Sequence, residues 1–207
     1  DETGHFYHAD YLLIPLSRDL LSRYPGASVL FDIKSSRVVE EDIRKHGGTP
    51  IRYKTGHSFI ETKMRETGAL LGGETSGHIF FAEKWYGFDD GMNAAARIVE
   101  LLSKTPKPFS QLFDDIPQVF TTPEWKVPCP DHAKFKVIED VKTFFTKRYP
   151  CLTVDGVWVD FGNGTWGAVR ASNTSPCLTM RFESPDEKNL KLIQKIFIDK
   201  LKEYPEV

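Results

Sequence analysis

The chain has 207 residues, with 27 Lys and Arg against 29 Asp and Glu, a formal charge of −2 and an isoelectric point near 6.3. That balance excludes the basic excess of a general nucleic-acid binder, no apolar run approaches the ~20 residues of a membrane-spanning helix, and the 40% hydrophobic content suffices for one large or two modest cores. Cys129, Cys151 and Cys177 are odd in number and widely spaced, and no Cys or carboxylate arrangement surrounds His5 and His8, so neither a disulfide framework nor a metal site is expected. Reduced thiols of a cytoplasmic protein are the expectation.

Leu12, Leu13, Leu16, Leu20, Leu21 and Tyr24 recur at helical spacing, Pro25-Gly26 ends that helix, and residues 27–33 are an apolar run of strand length. Residues 38–45 read as a helix stopped by Gly47-Gly48, and residues 49–53 as a short strand. Ser58 and Glu61 have capping-box spacing at the head of a helix reaching Glu66. Strands at Leu70 and Ile79 flank a polar loop, and a helix over residues 90–102 follows. Alternating helices and strands imply an α/β layered domain with a mostly parallel sheet over residues 11–103, after the tail of a preceding domain at 1–10. Ligand loops of such sheets lie at the carboxyl ends of strands. Lys34, His57 and Glu74 each follow a predicted strand, which allows all three to face one crevice.

Residues 104–123 are expected to be linker and hinge, with a short helix at 110–116 and the bend at Thr121-Thr122-Pro123, about which the flanking domains would move. From Glu124 the pattern changes. A strand at 125–127 leads to an amphipathic helix carrying Phe135, Ile138, Val141, Phe144 and Phe145. Strands at 152–154, 157–161, 166–169 and 178–183 follow, with turn signals at Asp155-Gly156 and Gly162-Asn163-Gly164, and Leu190, Ile193, Phe197 and Leu201 mark a final helix. Residues 124–207 are therefore expected to be an α+β domain, a four-stranded antiparallel sheet with helices on one face.

Two segments carry chemistry. Gly73-Glu74-Thr75-Ser76-Gly77-His78 places a carboxylate, hydroxyls and an imidazole between glycines, a set suited to vicinal sugar hydroxyls. Arg170-Ala171-Ser172-Asn173-Thr174-Ser175-Pro176 packs a guanidinium, hydroxyls, an amide and backbone N–H groups into a loop with no acid in its sequence, a set suited to phosphate. The first segment alone reads better as a polar turn, and the second is open to a plain hairpin loop, although such loops seldom hold so many donors without an acid; together they suggest a phosphosugar.

With Asp32-Ile33-Lys34, Lys54-Thr55-Gly56-His57-Ser58 and Trp85-Tyr86-Gly87-Phe88-Asp89-Asp90-Gly91, these segments stand in an order that resembles the C-terminal half of the α-D-phosphohexomutase superfamily, on its bacterial phosphomannomutase/phosphoglucomutase branch. The family's S-H-N-P-type serine loop and D-G-D-x-D-R metal loop do not occur here, so the chain reads as a truncated fragment holding the third and fourth domains. The resemblance implies a TATA-binding-protein-like C-terminal fold. It implies an isomerase of carbohydrate metabolism moving a phosphoryl group between O1 and O6 of a hexose through a 1,6-bisphosphate. Glu74 and Ser76 would hold O3 and O4, with His78 orienting that loop or binding substrate. Arg170, Ser172, Asn173 and Thr174 would clamp the non-reacting phosphate, and Lys34 and His57 would neutralise charge or relay a proton.

The full-length enzyme would use Mg2+ and glucose 1,6-bisphosphate, neither held by this fragment alone, and its partners would be a hexose phosphate and the missing N-terminal domains, the protein being a monomer. The fragment would bind phosphosugar weakly and turn nothing over. Trp85 reads as core or cleft wall, Arg181 as a solvent-facing strand residue, and Arg37 is undecided. Phosphoglucosamine mutase remains an alternative, although Thr75 stands where that branch commonly has Gln, and so does a non-catalytic phosphosugar-binding module.

Overall fold

Val29, Leu30 and Phe31 are fully buried, as a strand covered on both faces requires, and the strand they form, β1 (Ser28–Asp32), lies inside the first sheet. The structure is a computed structural model that describes residues 1–205 and 207. It consists of two units, Asp1–Pro117 and Gln118–Val207.

In the first unit a 3₁₀ turn at Ala9–Leu12 leads into α1 (Leu13–Arg23), then β1, α2 (Arg37–Lys45), β2 (Thr49–Tyr53), α3 (His57–Thr67), β3 (Leu71–Gly73), β4 (Ile79–Phe81) and α4 (Gly91–Ser103). The sheet order is β2-β1-β3-β4. β1 runs parallel to β2 and β3, and β4 is antiparallel to β3. Helices approach β3 closely because it carries glycines. A Cβ on Gly72 would lie 2.6 Å from Met64 Sδ of α3, and one on Gly73 would lie 2.7 Å from Leu13 Cδ2 of α1. Ser36 caps α2 by accepting from Val38 N, and Asp90 caps α4 by accepting from Asn93 N. The capping box expected at Ser58 does not form. The residue before α3 is Gly56, Ser58 lies inside the first turn, and Glu61 instead accepts from Asp89 N at 3.3 Å. The short helix expected at 110–116 is a 3₁₀ segment, Phe109–Phe113.

In the second unit the elements are β5 (Phe120–Thr121), β6 (Trp125–Pro128), α5 (Asp131–Thr146), β7 (Cys151–Leu152), β8 (Val157–Gly162), β9 (Thr165–Ala171), β10 (Cys177–Ser184) and α6 (Glu187–Leu201). The four strands expected of the sheet are β7 to β10, in antiparallel order β10-β9-β8-β7, and β5 and β6 both pair with β10 to make six. Val137, Val141 and Phe145 of α5 and Ile193 and Phe197 of α6 form one core with Val157, Val159, Val169, Leu178, Met180 and Phe182. Alternate strand residues reach this core, which is the period of a sheet covered by helices on that face.

Three expectations are corrected here. Thr121 lies in the sheet and Thr122 is hydrogen-bonded to β10, where unpaired linker was expected. Thr121 pairs with Glu183, Thr122 N donates to Phe182 O at 3.0 Å, and Thr122 Oγ1 accepts from Phe182 N at 3.1 Å. β-Branched residues suit extended pairing, and the proline that follows separates β5 from β6. Phe135 is 58% exposed, because the core face of α5 runs through Ala133, Val137, Ile138, Val141 and Phe145. Arg181 is 3% exposed, not solvent-facing.

Gly156 closes the turn between β7 and β8 with φ at +66°, and a Cβ there would lie 2.2 Å from Val169 O. The left-handed backbone alone costs about 1–2 kcal/mol once a Cβ is present, and the clash with β9 adds to it. Gly156→Ala is expected to lower the urea midpoint by more than this strain alone requires. Gly91→Ala, at a helix start with open space around it, should leave the midpoint near wild type. Equal midpoints for the two variants would contradict the geometry of this turn.

Candidate functional site

β1 ends at Asp32, β2 at Tyr53 and β3 at Gly73, and the parallel register pairs Asp32 with Tyr53 and Phe31 with Gly73. The loops after these strands therefore leave the sheet at one edge, where α/β sheets bind ligands. Asp32 holds them together. Its side chain is fully buried and accepts from Ser35 Oγ at 2.6 Å, Thr75 Oγ1 at 2.8 Å, Thr55 Oγ1 at 3.3 Å and Thr75 N at 3.3 Å. The donors come from all three loops, with Thr75 giving both its hydroxyl and its amide. A buried carboxylate needs such partners to offset its lost hydration.

The loop at 74–78 is a tight turn, with Glu74 N donating to His78 O at 2.9 Å and Gly77 N to Glu74 O at 3.0 Å. Ser76 stands exposed at its tip. Glu74 is 1% exposed, and its Oε1 accepts from Gly56 N just before α3. His57 is the first residue of α3, and its ring centroid lies 5.8 Å from that of His78. His78 Nδ1 is 2.6 Å from Asp89 Oδ2, and Asp89 is fixed by a β-bridge to Phe80 and by Glu61. Lys34, buried in the loop after β1, is close enough to act electrostatically on Glu74. Lys34, His57, Glu74 and His78 are thus brought together, with Ser76 on the same turn. Trp85 is half-exposed and donates Nε1 to Asp90 at 3.1 Å, so it is not core. Arg37 pairs with Glu41 along α2.

The second expected loop joins β9 to β10. Arg170 is buried, with Nε 2.6 Å from Asp155 Oδ2. The loop has no acid in its sequence, yet the turn after β7 brings one to it. Ser172 is buried, and its Oγ accepts from Thr174 N at 3.3 Å, whereas Asn173 and Thr174 are exposed at the tip. Four residues that hold these two loops carried no role in the sequence reading: Asp32, Asp89, Asp155 and Lys134. Asp32 and Asp89 lie within recognised motifs, and an acid closing an apolar strand is itself a signal. Asp155 and Lys134 act across distant parts of the sequence. Among the described residues, no three His, Cys, Asp or Glu side chains group to hold a metal ion, and no helix is long and apolar enough to cross a membrane.

Residues 8–120 match the model for phosphoglucomutase/phosphomannomutase α/β/α domain III and residues 124–200 that for the C-terminal domain, and the chain belongs to this family. It is 46% identical over 196 residues to phosphomannomutase/phosphoglucomutase of Pseudomonas putida and 44% identical over 197 to phosphoglucomutase of Neisseria gonorrhoeae, each match covering 94% of this chain. The chain spans 42% of the length of either relative. Among solved structures it is similar to a phosphoglucomutase/phosphomannomutase family protein of Burkholderia thailandensis, with TM-score 0.86 and 36% identity over 96% of this chain and 42% of that one.

Burial pushes the Glu74 carboxyl above its ordinary value; the Gly56 amide opposes this, the Asp32 charge adds to it, and His78 and Lys34 pull it back. A carboxyl raised by folding binds its proton more tightly in the native state. Stability therefore falls as pH rises from the unfolded value through the folded one. Glu74→Gln keeps an oxygen for Gly56 N–H and lacks this loss. The variant is expected to melt above wild type at neutral pH, with the gap closing once pH falls below the carboxylate range. Thermal melts across pH check this, and a gap that widens toward acid would contradict it.

Proposed function

We propose that the full-length protein is a phosphohexomutase that interconverts hexose 1-phosphate and hexose 6-phosphate, with this chain supplying sugar and phosphate recognition. The observation that carries the reading is the pinning of three strand-end loops by Asp32, which groups Lys34, His57, Glu74 and His78 at one edge. Glu74 and Ser76 accept from O3 and O4 of the sugar. Those atoms occupy similar places in either orientation of a 1,6-bisphosphate, so one turn serves both half-reactions. Lys34 offsets phosphate charge, and His57 and His78 supply imidazoles beside the reacting hydroxyl. Arg170, with Nε on Asp155, turns the rest of its fork to the non-reacting phosphate, joined by Ser172, Asn173 and Thr174.

Phosphoryl transfer depends on positioning and charge neutralisation, and these residues do the positioning. The transferred group needs a carrier nucleophile, and Ser76 and Ser172 lie in binding loops. Magnesium, expected of the full-length enzyme, finds no ligand set among the described residues, and no step given to this chain runs through it. The three free thiols, Cys129, Cys151 and Cys177, suit a cytoplasmic site of action.

This chain is expected to bind glucose 1-phosphate without turning it over. A mutase assay beside the full-length protein, with magnesium and bisphosphate present, tests this division of labour. Turnover within about a thousandfold of full length would overturn it. No activity in the full-length protein with any hexose phosphate would leave a phosphosugar-binding module. Within the chain, Arg170→Ala is expected to weaken glucose 1-phosphate binding more than Arg170→Lys, which keeps the charge and loses the planar fork. Calorimetric titration of the three proteins measures it, and equal affinities would make this loop an ordinary turn.

A further inference from the structure

Lysine is almost never buried unless its ammonium is paired. Lys134, in the first turn of α5, is 4% exposed. Its Nζ donates to Ser172 O at 2.6 Å and to Ser175 O at 3.1 Å, and lies 2.7 Å from Asp131 Oδ1. These three acceptors match the three donors of an ammonium. Two of them are main-chain carbonyls on either side of the exposed tip, Asn173 and Thr174.

Drawing the Ser172 carbonyl inward has a consequence fixed by covalent geometry. In a trans peptide the N–H of the next residue points opposite to the C=O, so the Asn173 N–H is turned outward. The far end of the loop is held through Ser175 O, and Cys129 N donates to Pro176 O at 3.0 Å. The carbonyls of Ser172, Ser175 and Pro176 are thus engaged away from the tip, and the Asn173 N–H is left facing outward. A carbonyl swung outward would meet a phosphate oxygen with like partial charge. The ammonium also places a positive charge directly under the tip, and its carboxylate partner Asp131 is largely solvated.

We propose that Lys134 is a positioning residue for phosphate: it presets the anion-binding form of the Arg170–Pro176 loop without touching the ligand. The inference rests on the reading of that loop as the phosphate site. Binding affinity then depends on a side chain behind the loop, because ordering a free loop at the moment of binding would offset much of the interaction.

The test is calorimetric titration of glucose 1-phosphate into the chain and four variants, with melting temperatures measured alongside. Lys134→Met keeps the length of the side chain and removes its donors, and should weaken binding on the order of tenfold. Lys134→Gln keeps an N–H donor without charge and should fall between Met and wild type. Ile138→Val, a buried change on the same helix, should lower the melting temperature without changing affinity. Arg170→Ala should weaken binding more than Lys134→Met does. If Arg170→Ala weakens binding while Lys134→Met binds as wild type does, the positioning role is wrong and the phosphate reading stands. If Arg170→Ala binds as wild type does, the phosphate reading fails and takes the inference with it. If Lys134→Met does not fold, Lys134→Gln decides, and wild-type affinity in that variant overturns the proposal.

Discussion

The first unit depends on one buried carboxylate. Asp32 ends the strand that runs between two parallel neighbours, and three hydroxyls and an amide donate to it from the loops beyond the sheet edge. Parallel strands alone fix where loops begin. They do not fix where the loops go, and loops such as these would otherwise sample many conformations at an entropic cost of about 1–2 kcal/mol per ordered residue. Asp32 removes that freedom locally by giving each loop the same acceptor. Glu74 extends the arrangement, since its carboxylate reaches the amide before α3 and so ties the third loop to the second. The result is a preset surface on which Lys34, His57 and His78 stand close together.

The second unit solves the same problem with opposite charge. Its loop is rich in donors, so the groups that order it must accept from its side chains or donate to its carbonyls. Asp155 does the first by taking Arg170 Nε, and Lys134 does the second. In both units buried or part-buried charges, Asp32, Asp155 and Lys134, hold the loops, and exposed or half-exposed polar groups, Ser76, His78, Asn173 and Thr174, stand on them. Burial of a charge is expensive and is justified when every donor or acceptor is used. That condition is met by Asp32 and by Lys134.

Much of this was legible in the sequence where one physical signal dominates. The run around Val29 reads as a buried strand because apolar residues are continuous there, and helices such as α6 read from Leu190, Ile193, Phe197 and Leu201 at helical spacing. The site loops were legible as motifs. Competing signals explain the errors. Ser58 and Glu61 have the spacing of a cap, but Gly56 takes the cap position two residues earlier and Asp89 claims the glutamate. Thr121 and Thr122 look like linker beside a proline, yet the open edge of β10 offers them partners. Phe135 is aromatic and well spaced, but it projects from the far side of α5. The hold of Asp155 on Arg170 and of Lys134 on the loop carbonyls left no local trace, since each reaches a residue at least 15 positions away.

The most direct test of the account is residue-resolved amide chemical-shift mapping of this chain as glucose 1-phosphate is added to saturation. The account predicts saturable shifts in two sets of amides: Asn173, Thr174 and Ser175, and the strand-end set Lys34, His57 and Thr75 to His78. Shifts confined to other surfaces, or no saturable shift at either set of loops, would contradict it.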